Sequence, residues 1–135
     1  MKETFKEFTV TVNHAQEKES PWGADLFQHN RVTVKSGKTG KRTSFDFWGS
    51  RVEPTPKDRY DVLNAFYCFV SDALSGGEYE FPEFCKEFGY DVDNIDKAWG
   101  AWKGCKRSFD KLSRMSGYSM DELYDLCNEL AEDYA

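Results

Sequence analysis

The spacing of the apolar residues changes once along the chain, and that change limits the fold more than any other feature. In Phe8-Thr9-Val10-Thr11-Val12 apolar and polar residues alternate, as they do on a strand with one buried face. Alternation returns over 26–35 through Val32 and Val34, and over 43–48 through Phe45 and Phe47. From Val62 onward apolar residues recur at three and four instead, the period of an amphipathic helix. Strands followed by helices make an α+β chain. Short connections place sequential strands side by side, so the expected fold is a three-stranded antiparallel β-meander over 1–50 packed against about four helices over 56–134. The 135 residues fit one domain, and 16% of them are aromatic, enough ring area to fill its core.

Turn and cap residues divide these blocks. Glu17, Lys18, Glu19, Ser20 and Pro21 mark 14–22 as a polar loop, and Ser36-Gly37-Lys38-Thr39-Gly40 marks a hairpin tip. Thr55 is placed to cap a helix over 56–74, with Pro56 at its first position and Asp58 as a capping-box acid. Val62, Phe66, Phe69 and Ala73 form one stripe on it and Leu63, Tyr67, Val70 and Leu74 a second, so this helix is central; Ser75-Gly76-Gly77 reads as its end. A short helix from Pro82 to Gly89 carries Phe81, Phe84, Cys85 and Phe88 as plugs for the core. Asp93 or Asn94 then caps a long helix with Ile95, Trp99, Trp102, Cys105, Phe109 and Leu112 on its apolar stripe, both Trp facing the core, and Gly117 stops it. Ser119 and Glu122 form the capping box of the last helix, whose stripe is Met120, Leu123, Cys127, Leu130 and Tyr134.

Each candidate for catalysis or metal binding lacks a necessary part. Cys68, Cys85, Cys105 and Cys127 are widely spaced with no Cys-x-x-Cys pair, which predicts small buried thiols rather than a zinc site. Asp91-Val92-Asp93-Asn94 opens like a calcium loop, but Ile95, Asp96 and Trp102 stand where an oxygen ligand, Gly and Glu are required. Lys38-Thr39 has no earlier Gly at P-loop spacing. Neither His14 nor His29 is tied to a nucleophile. The expectation is a protein that is not an enzyme, with no cofactor and no metal. No run of about 18 apolar residues is present and the start lacks signal-peptide character, so no membrane association is expected and the location is the cytoplasm.

Charge is the remaining clue. Residues 1–56 carry nine Lys and Arg against seven Asp and Glu, whereas 57–135 carry nine against 17. The acidic candidates for binding a partner are Glu78, Glu80, Glu83, Glu87, Asp91, Asp93, Asp121, Glu122, Asp125 and Glu129, with Glu132 and Asp133 beyond them. A basic set on the strand pair 26–35 and 43–48, namely Arg31, Lys35, Lys38, Lys41 and Arg42, is the alternative candidate and would bind nucleic acid, with Trp22 or Trp48 as a stacking ring. Lys103, Lys106 and Arg107 are expected to pair with acids on neighbouring helices.

The string Phe81-Pro82-Glu83-Phe84-Cys85-Lys86-Glu87-Phe88-Gly89-Tyr90-Asp91-Val92-Asp93, followed by Lys97-Ala98 and Cys105, resembles a family of small proteins carried by phages and prophages. The family pattern is Phe-x-x-Phe-Cys-x-Glu-Phe-Gly-Tyr-Asp-x-Asp, usually continued by Ser-Arg-Lys-Ala. Asn94-Ile95-Asp96-Lys97-Ala98 departs from that continuation and lacks its Arg. Ser44-Phe45-Asp46-Phe47-Trp48-Gly49 is similar to the Ser/Thr-x-Phe-x-x-Gly segment that closes the strand-rich part of those proteins. The resemblance carries over no catalytic residue. It implies a binding role inside an infected or lysogenic host cell: inhibition of a host defence protein such as a CRISPR effector, or of another nucleic-acid-processing protein, through the acidic surface.

Overall fold

The computed structural model describes residues 1–23 and 25–134. Among them are five strands and four α-helices: β1 Lys2–Phe5, β2 Phe8–Val12, β3 Gln16–Glu19, β4 Leu26–Ser36, β5 Arg42–Trp48, α1 Arg59–Glu78, α2 Phe81–Glu87, α3 Ile95–Ser116 and α4 Met120–Tyr134. A 3-10 turn, Val92–Asn94, leads into α3. The α+β class stands, with the sheet on one side and the helices on the other.

All pairings are antiparallel around β4. Residues 32–36 of β4 pair with β2, from Val12↔Val32 to Phe8↔Ser36, and residues 26–29 pair with β3, from Gln16↔His29 to Glu19↔Leu26. The strands β2 and β3 therefore lie end to end along one edge of β4, β5 takes the other edge, and β1 extends the sheet beyond β2. Asn13 bridges the break: its Oδ1 accepts from the Arg31 amide at 2.6 Å, and its carbonyl accepts from Asn30 Nδ2 at 2.9 Å.

This corrects the three-stranded meander. The 14–22 segment is not all loop, because β3 lies within it; all four of its residues are exposed, so it has no apolar face to alternate and is held by its backbone pairing. The added β1 buries only Phe5, which stacks on Phe66 with ring centroids 6.0 Å apart.

The inward residues of the sheet, Phe8, Val10, Val12, Val32, Val34 and Phe47, pack on α1 around Phe66, Phe69 and Val70. Phe8 meets Phe66 at 5.6 Å and Phe45 stacks on Phe69 at 5.2 Å. Leu112 and Met115 of α3 and Leu123, Leu126 and Leu130 of α4 complete the core, so the stripe of α4 faces inward. Each such side chain, fully buried, contributes about 1.5–3 kcal/mol. The Tyr134 side chain lies outside the described residues.

Three helix-level expectations are corrected and a fourth is refined. The cap of α1 is Asp58, whose Oδ1 accepts from the Asp61 amide at 3.0 Å, rather than Thr55. The glycines at 76 and 77 do not stop α1, which runs on to Glu78. They let α3 approach: a Cβ on Gly76 would lie 2.1 Å from the Cys105 carbonyl oxygen. Asn94 stands at the cap position of α3, one of the two residues expected there, but its side chain makes no bond into α3 and reaches back instead: its Oδ1 accepts from the Asp91 amide at 2.7 Å, while Asp91 caps the 3-10 turn and accepts from the Asp93 amide at 3.0 Å. The four cysteines are half-buried and unbridged rather than fully enclosed. Gly117 closes α3 in the left-handed region at φ 71°, and the Ser119–Glu122 box opens α4, both as the spacing predicts.

Candidate functional site: an acidic aromatic lobe and a basic face

The chain between α1 and the middle of α3 forms a lobe with its own aromatic packing. Only Phe84 of α2 is buried, and it sits among Phe88 at 4.7 Å and Tyr90 at 6.0 Å rather than in the main core. Phe81 meets Trp99 at 4.9 Å and Trp102 at 5.5 Å, and Trp102 Nε1 donates to the Tyr79 carbonyl at 2.9 Å, tying α3 to the end of α1. Thus the α2 phenylalanines brace a lobe instead of plugging the core. The ring budget of the lobe is not spent inward: Phe88 is 51% exposed, Val92 85%, Ile95 42% and Trp99 46%. The N-terminal half of the predicted α3 stripe therefore faces solvent, which corrects the placement of Trp99 in the core.

All ten acidic candidates are exposed. Between residues 78 and 96 the sequence has seven Asp and Glu against Lys86 alone, and 119–134 has six against no cation. Some have structural work. Asp91 caps the 3-10 turn, and Glu129 forms an ion pair with Lys6. Glu122 closes its capping box, and the Ser119 backbone and hydroxyl bonds lower its pKa. A hydrogen bond to Glu78, then burial and the Glu78 charge, push the Tyr124 phenol up to about 12. That bond joins the two acidic stretches at the junction of α1 and α4. Burial and the charges of Glu78, Glu87 and Glu83 raise Tyr79 as well, so these acids act as one field. Glu80, Glu83, Glu87, Asp93, Asp121 and Asp125 make no ion pair among the described residues.

The basic set is divided by the structure. Arg31 Nε bonds Asp46 Oδ1 at 3.1 Å and Lys38 Nζ lies 3.8 Å from Glu7 Oε1, so both are partly neutralised. Burial raises the pKa of Asp46, but the bonds and charges of Arg31 and His29 outweigh it and hold the carboxyl low. Lys35 and Arg42 stand opposite each other across β4 and β5 on the open face of the sheet, beside Lys2, Thr9, Thr11 and Thr33. Lys41 and Arg42 also line a cleft of about 710 Å3 whose other wall is α3, with Arg107, Lys111 and Arg114. Sequence reasoning missed this second wall, although 107, 111 and 114 follow the i, i+4, i+7 spacing of one helix face. Among the described residues Lys103, Lys106 and Arg107 make no ion pair with an acid, against expectation; Lys103 lies over the Trp99 ring at 5.8 Å and Lys106 over Trp102 at 5.0 Å.

His29 Nε2 lies 2.9 Å from Asp46 Oδ1 beneath Trp48, whose ring is 4.5 Å away. Arg51 grips Asp72 through two bonds of 2.8 and 2.7 Å. Burial, aided by the Asp72 charge, pushes the nearby Cys105 thiol up to about 11, against the opposing charge of Arg51, so the thiol stays protonated at neutral pH. Among the described residues no His, Cys, Asp and Glu cluster could hold a metal ion, and no helix is long and apolar enough to cross a membrane. No family model, no curated protein and no solved structure matches the chain.

Proposed function

We propose that the chain is a non-catalytic interaction protein that covers the nucleic-acid-binding surface of a host defence or nucleic-acid-processing protein, in the manner of an anti-CRISPR protein, with the lobe of α2 and early α3 as its contact. The observation that carries this reading is the mixture on that lobe: exposed Phe88, Val92, Ile95 and Trp99 set among Glu80, Glu83, Glu87 and Asp93, which make no ion pair among the described residues. Acids alone would serve solubility. Exposed apolar side chains among mainly acidic neighbours, with Lys86, Lys97 and Lys103 the cations between them, fit a surface that docks, the acids drawing a basic partner and the apolar groups holding it. A surface that binds nucleic acid is basic and carries apolar or aromatic stacking groups, the complement of this lobe. The partner's class rests on the phage-protein resemblance.

Affinity capture from host lysate at low salt, with Glu83→Lys/Glu87→Lys and Val92→Ser variants in parallel, tests the proposal. The expected result is a partner retained by the unaltered chain, released as salt rises, and bound about ten-fold or more weakly by the double charge reversal. The purified partner should lose its nucleic-acid shift when the chain is added. Capture unaffected by the variants, or a partner that still binds nucleic acid in the complex, would overturn it.

A further inference from the structure

Between the edge strand β5 and α3 runs a groove that the acidic lobe does not use. Its first section is the basic cleft of about 710 Å3 between Lys41 and Arg42 on one wall and Arg107, Lys111 and Arg114 on the other. A second section, about 360 Å3, shares Arg107 and Lys111 and brings in Trp22, Phe45 and Trp48. A third, about 390 Å3, shares those three rings and ends at Arg51. Cations thus occupy one end, aromatic rings the middle, and one side of the whole is a strand edge.

The charges are available. Lys41, Arg42, Arg107 and Arg114 form no ion pair among the described residues. Lys111 Nζ is oriented by the Ser44 carbonyl at 2.9 Å. Of the acids along the groove, Asp46 is held by Arg31 and His29 and Asp72 by Arg51, which leaves Asp110 as the one uncompensated carboxylate. Trp22 is 66% exposed, resting on Trp48 at 5.8 Å and Phe27 at 5.7 Å, so most of an indole projects into solvent beside the cations. A solubilising patch needs positive charge and no ring. A site for unpaired bases needs both, because the phosphates meet the cations while a base stacks on the ring.

We propose that this groove binds single-stranded nucleic acid, with Arg42, Arg107 and Arg114 on the phosphates and Trp22 stacking a base. The test is fluorescence anisotropy of the full chain at low salt with labelled oligothymidylate, oligouridylate and a duplex of equal length, each about 20 nucleotides and so longer than one such site. DNA and RNA arms distinguish the sugar. The expected result is binding of at least one single strand, more tightly than of the duplex, with Trp22→Ala weakening it about ten-fold and Trp22→Phe recovering most of the loss. Arg107→Glu/Arg114→Glu should abolish it, and Arg114→Gln alone should reduce the salt slope by about 0.7 per lost phosphate contact. Glu83→Lys/Glu87→Lys, on the opposite function's surface, should not weaken it. Unchanged circular dichroism of each variant separates these effects from misfolding. No binding to any strand overturns the proposal, and so does equal binding of duplex with no effect of Trp22→Ala, which marks a plain polyanion surface.

Discussion

Gly76→Ala should destabilise the protein although helix propensity favours the change. In an unhindered helix interior the substitution gains about 1 kcal/mol. At position 76 the new Cβ would stand 2.1 Å from the carbonyl oxygen of Cys105, 2.2 Å from its carbon and 2.5 Å from the amide nitrogen of Lys106. All three are backbone atoms, so no side chain can swing away. Ordinary contact begins at 3.4 Å, and α1 and α3 would have to separate by the difference, about 1.3 Å. That shift loosens Leu112 and Met115 against the core and strains the Trp102–Tyr79 bond that seats the lobe. Overpacking costs about 1–3 kcal/mol, and displacement of a whole helix belongs at the upper end. After the propensity gain, a net loss of about 2 kcal/mol remains, or a Tm lower by about 6–10 °C at this chain length. Thermal and urea melts followed by far-UV circular dichroism measure it. Gly104→Ala on α3 is the control, because nothing lies within 4 Å of its Cβ position, and it should stabilise by about 0.5–1 kcal/mol. A Gly76→Ala protein that melts at or above the parent temperature would refute the close-approach argument.

Two further expectations concern the cap of α1 and the junction of the acidic stretches. Asp58→Ala should cost about 1 kcal/mol in urea denaturation while Thr55→Ala costs a few tenths at most, and the reverse order would return the helix start to Thr55. Tyr124 should ionise near pH 12 rather than 10.0, and Glu78→Gln should bring it back toward the ordinary value in a phenolate absorbance titration. Because the folded pKa is the raised one, the stabilisation tied to this phenol is complete below pH 10 and is lost as pH climbs through about 12. Tyrosines that all ionise together in the folded protein would exclude the Glu78 bond.

The fold was legible wherever a residue had one buried side. Val10, Val12, Val32 and Val34 alternate because one face of the sheet is covered, and Val62, Phe66 and Phe69 recur because α1 is central. The edge elements escaped for the same reason: β3 buries nothing, and β1 buries Phe5 alone. Gly76 and Gly77 carried the signature of a helix end, yet the same residue lets two backbones approach closely, and local sequence does not separate the two uses. On the lobe, Trp99 and Ile95 have core spacing and core chemistry, but α2 is too short to cover them. The acidic candidates could be named from sequence. The basic groove could not, since its walls come from residues 40–43 and 107–115, brought together only by packing α3 along β5.

Much of the charge along α3 has a structural cause, and separating that part isolates what binding must explain. Asp96 lies in its first turn with Asp91 and Asp93 just ahead of it, and Arg114 lies in its last turn, the arrangement a helix dipole favours. That effect fades within about one turn of each end. Glu80 and Glu83 stand at the cap and in the first turn of α2, where its own dipole favours them, but neither dipole accounts for Glu87 at the last residue of α2 nor for Lys41 and Arg42 on the hairpin. Neutralising the first group should therefore lower stability as well as binding, whereas neutralising Glu87, or Lys41 and Arg42, should not lower the melting temperature. The charges outside the reach of the dipole are the ones whose removal separates a partner-binding lobe and a nucleic-acid groove from a chain whose charge only stabilises its longest helix.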